Sequence, residues 1–125
     1  MQHEIFTECQ VTLTVNRRDL PTSLAVKIAL YRICQEALSN AYRHSGVKEQ
    51  QVRLDREGDA IVLQISDQGR GFEPPPLSGP CATEKAEHIG LRGMRDRIGL
   101  VGGEFELQSA PGQGTRIIVR IAIDE

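Results

Sequence analysis

The chain has 125 residues, 39% of them hydrophobic, with 12 glycines and a formal charge of -2, which bounds it to one domain with a modest core. A pI near 5.9 offers no basic field for nucleic acid. The apolar runs Ile28 to Tyr31 and Ala60 to Leu63 are four residues each, far short of the roughly 20 needed to span a bilayer.

The N-terminal MQHEIFTECQ lacks a basic leader, an apolar core and a small-residue cleavage site. Cytoplasmic residence is the expectation. Residues 1–9 are expected to be an extension or linker remnant. Cys9, Cys34 and Cys81 are widely spaced with no CxxC pair, indicating neither a disulfide framework nor a zinc site. Cys34 is expected inside a helix as a small hydrophobe.

From about Gln10 to Val15 the alternation of Val11, Leu13 and Val15 with polar residues predicts a strand with one buried face. Pro21 suits a first helical turn and Thr22 or Ser23 can cap it. Val26, Leu30, Ile33, Ala37 and Ala41 then recur every three or four residues, predicting a long helix over about Thr22 to His44, stopped by Gly46. Glu36, Asn40 and Arg43 form a neighbouring stripe on that helix. Gln51 to Arg56, Glu57-Gly58-Asp59 and Ala60 to Ser66 predict an antiparallel hairpin whose second strand ends at Asp67.

Residues 73–89 carry Pro74, Pro75, Pro76, Gly79 and Pro80. Neither a regular helix nor a central strand accommodates that run, and it exceeds a usual connection, so the expectation over about 73–89 is a lid, with a disordered loop of no function as the alternative. Leu91, Met94, Ile98 and Val101 predict a short helix from Leu91, ended by Gly102 and Gly103. Two strands, about Glu104 to Ser109 and Thr115 to Ile121, close the chain around a turn with Pro111 and two glycines. The sum is an α/β (α+β) two-layer fold of about five strands with helices on one face, over residues 10–125.

Asp67 follows a strand and precedes Gly69 and Gly71. Its carboxylate can accept from an exocyclic amine such as that of adenine, or can satisfy the turn itself. Gly90 and Gly93 frame the expected helix start, where exposed N–H groups attract phosphate oxygens or make an ordinary cap. Asn40 offers an amide oxygen that can join phosphate oxygens around Mg²⁺. Glu36 can orient a proton, a water or a nucleophile, or simply face solvent. Arg43 can neutralise phosphate or answer the helix dipole, and His44 can cap the helix or line a pocket. In this order the elements point to an ATP pocket.

The ordered set QEALSNAYRH, DQGRGF, GLRGMRDR and GQGT resembles the N, G1, G2 and G3 boxes of the ATP-binding catalytic domain of bacterial sensor histidine kinases. That superfamily (HATPase_c, the Bergerat or GHKL fold) is shared with gyrase, Hsp90 and the MutL proteins. YRICQEALSNAYRH and the short lid make the chain most similar to the nitrate-sensor and lipid-fluidity-sensor subgroup. Four boxes in order are far more specific than any one. The resemblance implies a mixed sheet packed against about three helices, with the third before Leu91 or around Asp19 to Ser23. It implies Asn40 as the Mg²⁺ ligand, Arg43 and His44 on the phosphate side, and Asp67 on the adenine amino group. Gly69 and Gly71 would admit the base. Gly90, Leu91, Gly93 and Met94 would shape the hinge and pocket wall, and Gly112, Gly114 and Thr115 would complete the pocket. Glu36 would prepare the phosphoacceptor or the Mg²⁺ shell.

Complete kinases of this type carry a phosphoacceptor histidine on a dimerisation helix pair. His3-Glu4 has no apolar helix around it, so the chain is expected to be a catalytic fragment or a stand-alone relative, monomeric in isolation. The implied activity is ATP·Mg²⁺ binding and transfer of the γ-phosphoryl to a histidine on a separate domain, which then serves a response regulator. The alternatives are a serine kinase of the anti-sigma-factor class and a nonenzymatic nucleotide-dependent binding module. Gyrase-type hydrolysis fits less well, since those proteins add transducing domains.

Overall fold

The computed structural model describes residues 2–6, 9–15, 23–45, 49–74, 77 and 86–123, and for 2–11, 15, 42–45 and 86–89 the backbone alone. Six strands and two helices are present among these residues: β1 (Gln2–Phe6), β2 (Cys9–Val15), α1 (Leu24–Ser45), β3 (Glu49–Glu57), β4 (Ala60–Asp67), α2 (Ala86–Leu100), β5 (Glu104–Ser109) and β6 (Thr115–Ala122). They form one sheet in the order β1-β2-β3-β4-β6-β5. Only β2 and β3 pair in parallel, because α1 carries the chain back across the sheet between them, as a parallel pair requires.

The mixed sheet with helices on one face is the fold expected from the sequence. It gains a sixth strand: β1 falls within residues 1–9 and pairs antiparallel with β2 at the sheet edge. The stretches 16–22 and 78–85, where a third helix was expected, lie outside the described residues, as does most of the expected lid.

Capping explains where the helices begin and end. Ser23 Oγ accepts from Val26 N–H at 3.2 Å, the N-cap bond that satisfies one of the orphan donors of α1. At the far end of α2, Gly102 is left-handed with φ 76. Gly103 N–H donates to Ile98 O at 2.9 Å and Gly102 N–H to Gly99 O at 3.1 Å, the paired bonds of a Schellman stop. The β3–β4 hairpin pairs Glu57 with Ala60 across Gly58-Asp59. Gly58 alone has positive φ there, at 59, the pattern of a type II′ turn that matches strand twist.

Period two decides the buried face of the sheet. Val52 on β3, Ile61, Leu63 and Ile65 on β4, and Ile117, Val119 and Ile121 on β6 are all buried and in phase. Against them α1 sets Val26, Ala29, Ile33, Ala37 and Leu38, and α2 sets Leu91, Met94 and Ile98. Each fully buried Val, Leu, Ile or Met side chain contributes roughly 1.5–3 kcal/mol. On the opposite face, Arg53, Glu57, Arg116 and Arg120 are exposed, and Arg120 and Arg53 approach Glu57 and Asp55 at 3.9 and 3.7 Å. Such exposed pairs are worth little.

The start of α2 departs from expectation. Sequence reasoning places it at Leu91, with Gly90 and Gly93 framing its start; the helix begins at Ala86, so both glycines lie inside it. A helical glycine costs only about 1 kcal/mol relative to alanine. At Gly90 the missing side chain has a use: a Cβ there would stand 3.0 Å from both Glu36 Oε1 and Asn40 Nδ2 on α1. Glycine lets the two helices meet closely.

Candidate functional site

The sheet register brings the polar groups of the site together. Gln50 on β3 pairs with Asp67 on β4, Asp67 with Thr115 on β6, and Thr115 with Ser109 on β5. Four polar side chains therefore form one row at the strand ends, where the next row inward is Val52, Ile65, Ile117 and Leu107. Over this edge α1 places Ala37, Asn40 and Ala41, and α2 places Leu91 and Met94. Together with Arg70, Gly71 and Phe72 they enclose a cavity of about 330 Å³ lined also by Gln50, Ile65, Asp67, Thr115 and Ile117. An apolar slot with a few convergent polar groups is the ordinary form of a small-molecule site.

Among the described residues Asp67 is the only carboxylate lining the cavity. Burial pushes its carboxyl above the usual range, while N–H bonds from Gly69 and Thr115 pull it back in part. The Gly69 N–H donates to Oδ1 at 2.7 Å. A half-buried acceptor whose ionised form is held at some cost gains from a ligand donor that takes up its charge. An exocyclic amine is such a donor.

The loop after Asp67 is fastened to the β5–β6 turn. Ser109 Oγ accepts from Phe72 N–H at 2.9 Å, donates to Gly114 O at 2.9 Å, and lies 3.0 Å from Thr115 Oγ1. Since its single hydrogen goes to Gly114, the Thr115 hydroxyl is the donor in the last contact. Gly112 N–H donates to Arg70 O at 2.5 Å. Gly71 has φ 66, and a Cβ on it would overlap Ala110 O and stand 2.8 Å from Gly114 O. Gly114, with φ 74, is pressed in the same way against the Asp67 backbone.

Of the residues singled out from the sequence, Asn40, Asp67, Gly71, Leu91, Met94 and Thr115 line the cavity. Gly69, Gly112 and Gly114 instead shape the loops that hold Asp67. Glu36 is half-buried one helical turn before Asn40 and faces Gly90. Gly90 stands between the helices rather than at a helix start, and Gly93 is exposed on α2 with open space where a Cβ would be. The side chains of Arg43 and His44 lie outside the described residues.

Gln50, Arg70, Phe72 and Ser109 belong to the site and were missed. Gln50 had a legible signal: it is in phase with Val52 and Leu54, the inward positions of β3. It is 2% exposed and donates from Nε2 to Leu38 O at 3.0 Å. Leaving such an amide unpaired would cost roughly 1–3 kcal/mol.

Among the described residues no group of three His, Cys, Asp or Glu is placed to hold a metal ion. A hexahydrated-type cation that keeps its waters and leans on substrate phosphates needs only one or two protein oxygens, and Asn40 at the cavity wall fits that demand. No helix of the described residues is long and apolar enough to cross a membrane.

Residues 25–125 match the family of histidine kinase-, DNA gyrase B- and HSP90-like ATPases, HATPase_c. The chain belongs to this family. It is 34% identical over 97 residues to the signal transduction histidine-protein kinase/phosphatase DegS of Bacillus subtilis (strain 168), covering 78% of this chain and 24% of DegS. With the sensor histidine kinase LiaS of the same organism it shares 36% over 106 residues, 85% of this chain and 28% of LiaS. The chain thus spans about a quarter of the curated relatives it matches. Solved structures share the HATPase_c fold at lower identity. The histidine kinase AdeS of Acinetobacter baumannii superposes with a TM-score of 0.68 at 16% identity, over 92% of this chain and 54% of that one. The histidine kinase domain of the blue-light activated kinase of Erythrobacter litoralis EL346 gives 0.67 at 21%, over 94% and 53%.

Proposed function

We propose that this chain is the catalytic domain of a cytoplasmic sensor histidine kinase of the nitrate-sensor and lipid-fluidity-sensor subgroup. It binds ATP with Mg²⁺ and delivers the γ-phosphoryl to a histidine on a separate dimerisation domain. The observation that carries the reading is Asp67, a half-buried acceptor at the end of an apolar cavity whose facing wall is Asn40. Adenine fits between Ile65, Ile117, Leu91 and Met94 with its amino group on Asp67, which leaves the phosphates to run toward Asn40.

Asn40 would hold the metal through its amide oxygen. Bound there, Mg²⁺ supplies charge neutralisation at the phosphate oxygens. The chain's own contribution is placement. Gln50, Asp67 and Thr115 fix the base end, Gly90 sets the distance between Asn40 and α2, and the helices shield the pocket from water. The imidazole nitrogen of the acceptor attacks the γ-phosphorus, a P–N bond forms, the bond to the β–γ bridging oxygen breaks, and ADP leaves. The phosphohistidine then serves an aspartate of a response regulator. DegS and LiaS, named as histidine kinases, support the acceptor class by their 34% and 36% identity.

Calorimetric titration with ATP and Mg²⁺, beside GTP and an Asp67→Asn variant, tests the pocket. Micromolar to millimolar ATP binding that GTP and the variant lack is the expected result, and absence of binding by the folded chain would refute it. Incubation with [γ-³²P]ATP and the dimerisation domain of a relative then tests the acceptor. Acid-labile, base-stable label is expected on histidine. Label on serine would favour the anti-sigma-factor class instead, and binding without transfer to either would favour a nucleotide-dependent module.

A further inference from the structure

We propose that Ser109 is a positioning residue of the base subsite: its hydroxyl holds the two backbone segments whose N–H groups aim the Asp67 carboxylate, and so sets the preference for an amino-bearing base without touching the nucleotide. The inference rests on the adenine reading above and extends it. The Ser109 hydroxyl is saturated inside the protein, since a hydroxyl has one hydrogen and two lone pairs. Gly114 O can only accept, so the hydrogen goes there at 2.9 Å. Phe72 N–H takes one lone pair at 2.9 Å, and the Thr115 hydroxyl, 3.0 Å away, takes the other. Nothing is left for a ligand, so any effect of Ser109 on the base passes through these partners.

Two of those partners lead to Asp67. Gly114 O and Thr115 N–H belong to one peptide group, and no peptide bond is cis among the described residues, so the two point to opposite sides of a single plane. Ser109 holds the oxygen on one side, and on the other the Thr115 N–H bonds the Asp67 carboxylate. Fixing the oxygen fixes the direction of that N–H, and a donor on a peptide carbonyl also strengthens the bond its N–H makes. Phe72 leads to the second donor. It lies three residues after Gly69, whose N–H donates to Asp67 Oδ1 at 2.7 Å. The bond from Phe72 N–H draws this short loop onto the end of β5, beside the bond from Gly112 N–H to Arg70 O at 2.5 Å. The strand register makes the arrangement compact, because Ser109 pairs with Thr115 and Thr115 with Asp67.

A carboxylate held by two fixed donors presents its remaining lone pairs in a set direction, which is what recognition of an amine requires. The same two N–H groups pull the Asp67 carboxyl back toward its ordinary range. Without Ser109 they loosen, and Asp67 becomes a poorer and less well aimed acceptor. A residue that merely fastened the loops would weaken all nucleotides alike when replaced. A residue that aims Asp67 weakens most the nucleotide whose amine Asp67 takes.

The test titrates ATP and ITP, each with Mg²⁺, into the full chain, into Ser109→Ala, and into Ser109→Thr and Ser109→Val, a pair of one shape that differs by the hydroxyl. ITP carries a carbonyl where ATP carries the amine. In Ser109→Ala, ATP should weaken about tenfold, the scale of one lost hydrogen bond in a closed pocket, while ITP changes less than about threefold, so the preference for ATP narrows. Ser109→Thr should keep the wild-type preference and Ser109→Val should lose it, and that pair decides the matter if Ser109→Ala does not fold. Amide NMR of the nucleotide-free chains supplies a readout other than binding: the Gly69 and Thr115 amide protons, deshielded by the carboxylate, should both move upfield when the hydroxyl is removed. Equal weakening of ATP and ITP, or amide protons of Gly69 and Thr115 that stay in place, would overturn the inference and leave Ser109 a fastener of loops. ATP binding that Asp67→Asn abolishes, together with an unchanged preference in Ser109→Ala, would refute the role of Ser109 while sparing the adenine pocket. No ATP binding by the folded wild type would refute both.

Discussion

The glycines of the nucleotide boxes separate by what a methyl group would meet, and a series of alanine variants should show it. Gly71 has φ 66, Gly112 has φ 79, and Gly93 is an ordinary helical residue. For Gly71→Ala two costs combine. A left-handed backbone costs a residue with a Cβ roughly 1–2 kcal/mol. The new methyl would also overlap Ala110 O and stand 2.8 Å from Gly114 O, and neither is a flexible side-chain end that can swing away, so overpacking adds about 1–3 kcal/mol. The expected loss is about 3 kcal/mol, or about 10–15 °C in Tm at about 3–5 °C per kcal/mol for this chain length. Gly112→Ala meets nothing within 4 Å and carries only the backbone cost, so it should fall by about 5 °C. Gly93→Ala, also with open space around it, should gain about 0.5–1 kcal/mol and melt higher. Differential scanning calorimetry and urea titration of the nucleotide-free variants provide the measurement. If the glycines served only to admit a ligand, the three variants would melt together. A Gly71→Ala protein as stable as Gly112→Ala would refute the packing argument.

Asp67→Asn should lose ATP without losing stability at neutral pH. The raised carboxyl means the folded state holds more protons than the unfolded state between the ordinary value, about 4, and the raised one. Stability therefore declines as pH rises through that window in the wild type and should decline less in the variant, read as urea midpoints from pH 4 to 7. Burial pushes the Cys34 thiol up to about 11, which leaves only about a thousandth as thiolate at pH 8. Site-resolved mass spectrometry should find Cys34 alkylated far more slowly in the native chain than in urea, and equal rates would contradict its burial. Ser109→Ala removes the hydroxyl joining Phe72, Gly114 and Thr115. A loss of about 1–3 kcal/mol is expected, with faster amide exchange at Phe72, and unchanged protection there would show that the loop is held otherwise.

Local rules carried most of the fold. The inward positions of β3 and β6 alternate, β4 keeps the same phase although Val62 on its other face is also buried, Ser23 and Gly102 cap where caps belong, and Gly58-Asp59 sets the hairpin register by its turn. What escaped depends on contacts between distant segments. β1 is too short and mixed for its alternation to be read, and it is defined by pairing with β2. The five extra residues of α2 were lost because they follow a Pro- and Gly-rich stretch and end in Gly90; there the approach of α1 outweighs a helical-glycine cost of about 1 kcal/mol.

The site divides along the same line. Among the residues lining the cavity, Asp67 and Thr115 were legible because each sits at the end of a strand whose period was clear, and Asn40 because it lies on a stripe beside the apolar face of α1. The glycines were found for a reason that proved incomplete. Gly71 and Gly114 have positive φ and lie against backbone of the neighbouring loop, so their first effect is to let two loops pack together and hold Asp67 between them. A nucleotide box is thus as much a packing motif as a binding one. Gln50 and Ser109 went unseen because polar residues near a strand end resemble solvent-facing ones until the register is known. Gln50 nonetheless sits two residues before Val52, in the phase of the core. A polar residue there must find a partner, and Gln50 finds one in Leu38 O while lining the cavity beside Asp67.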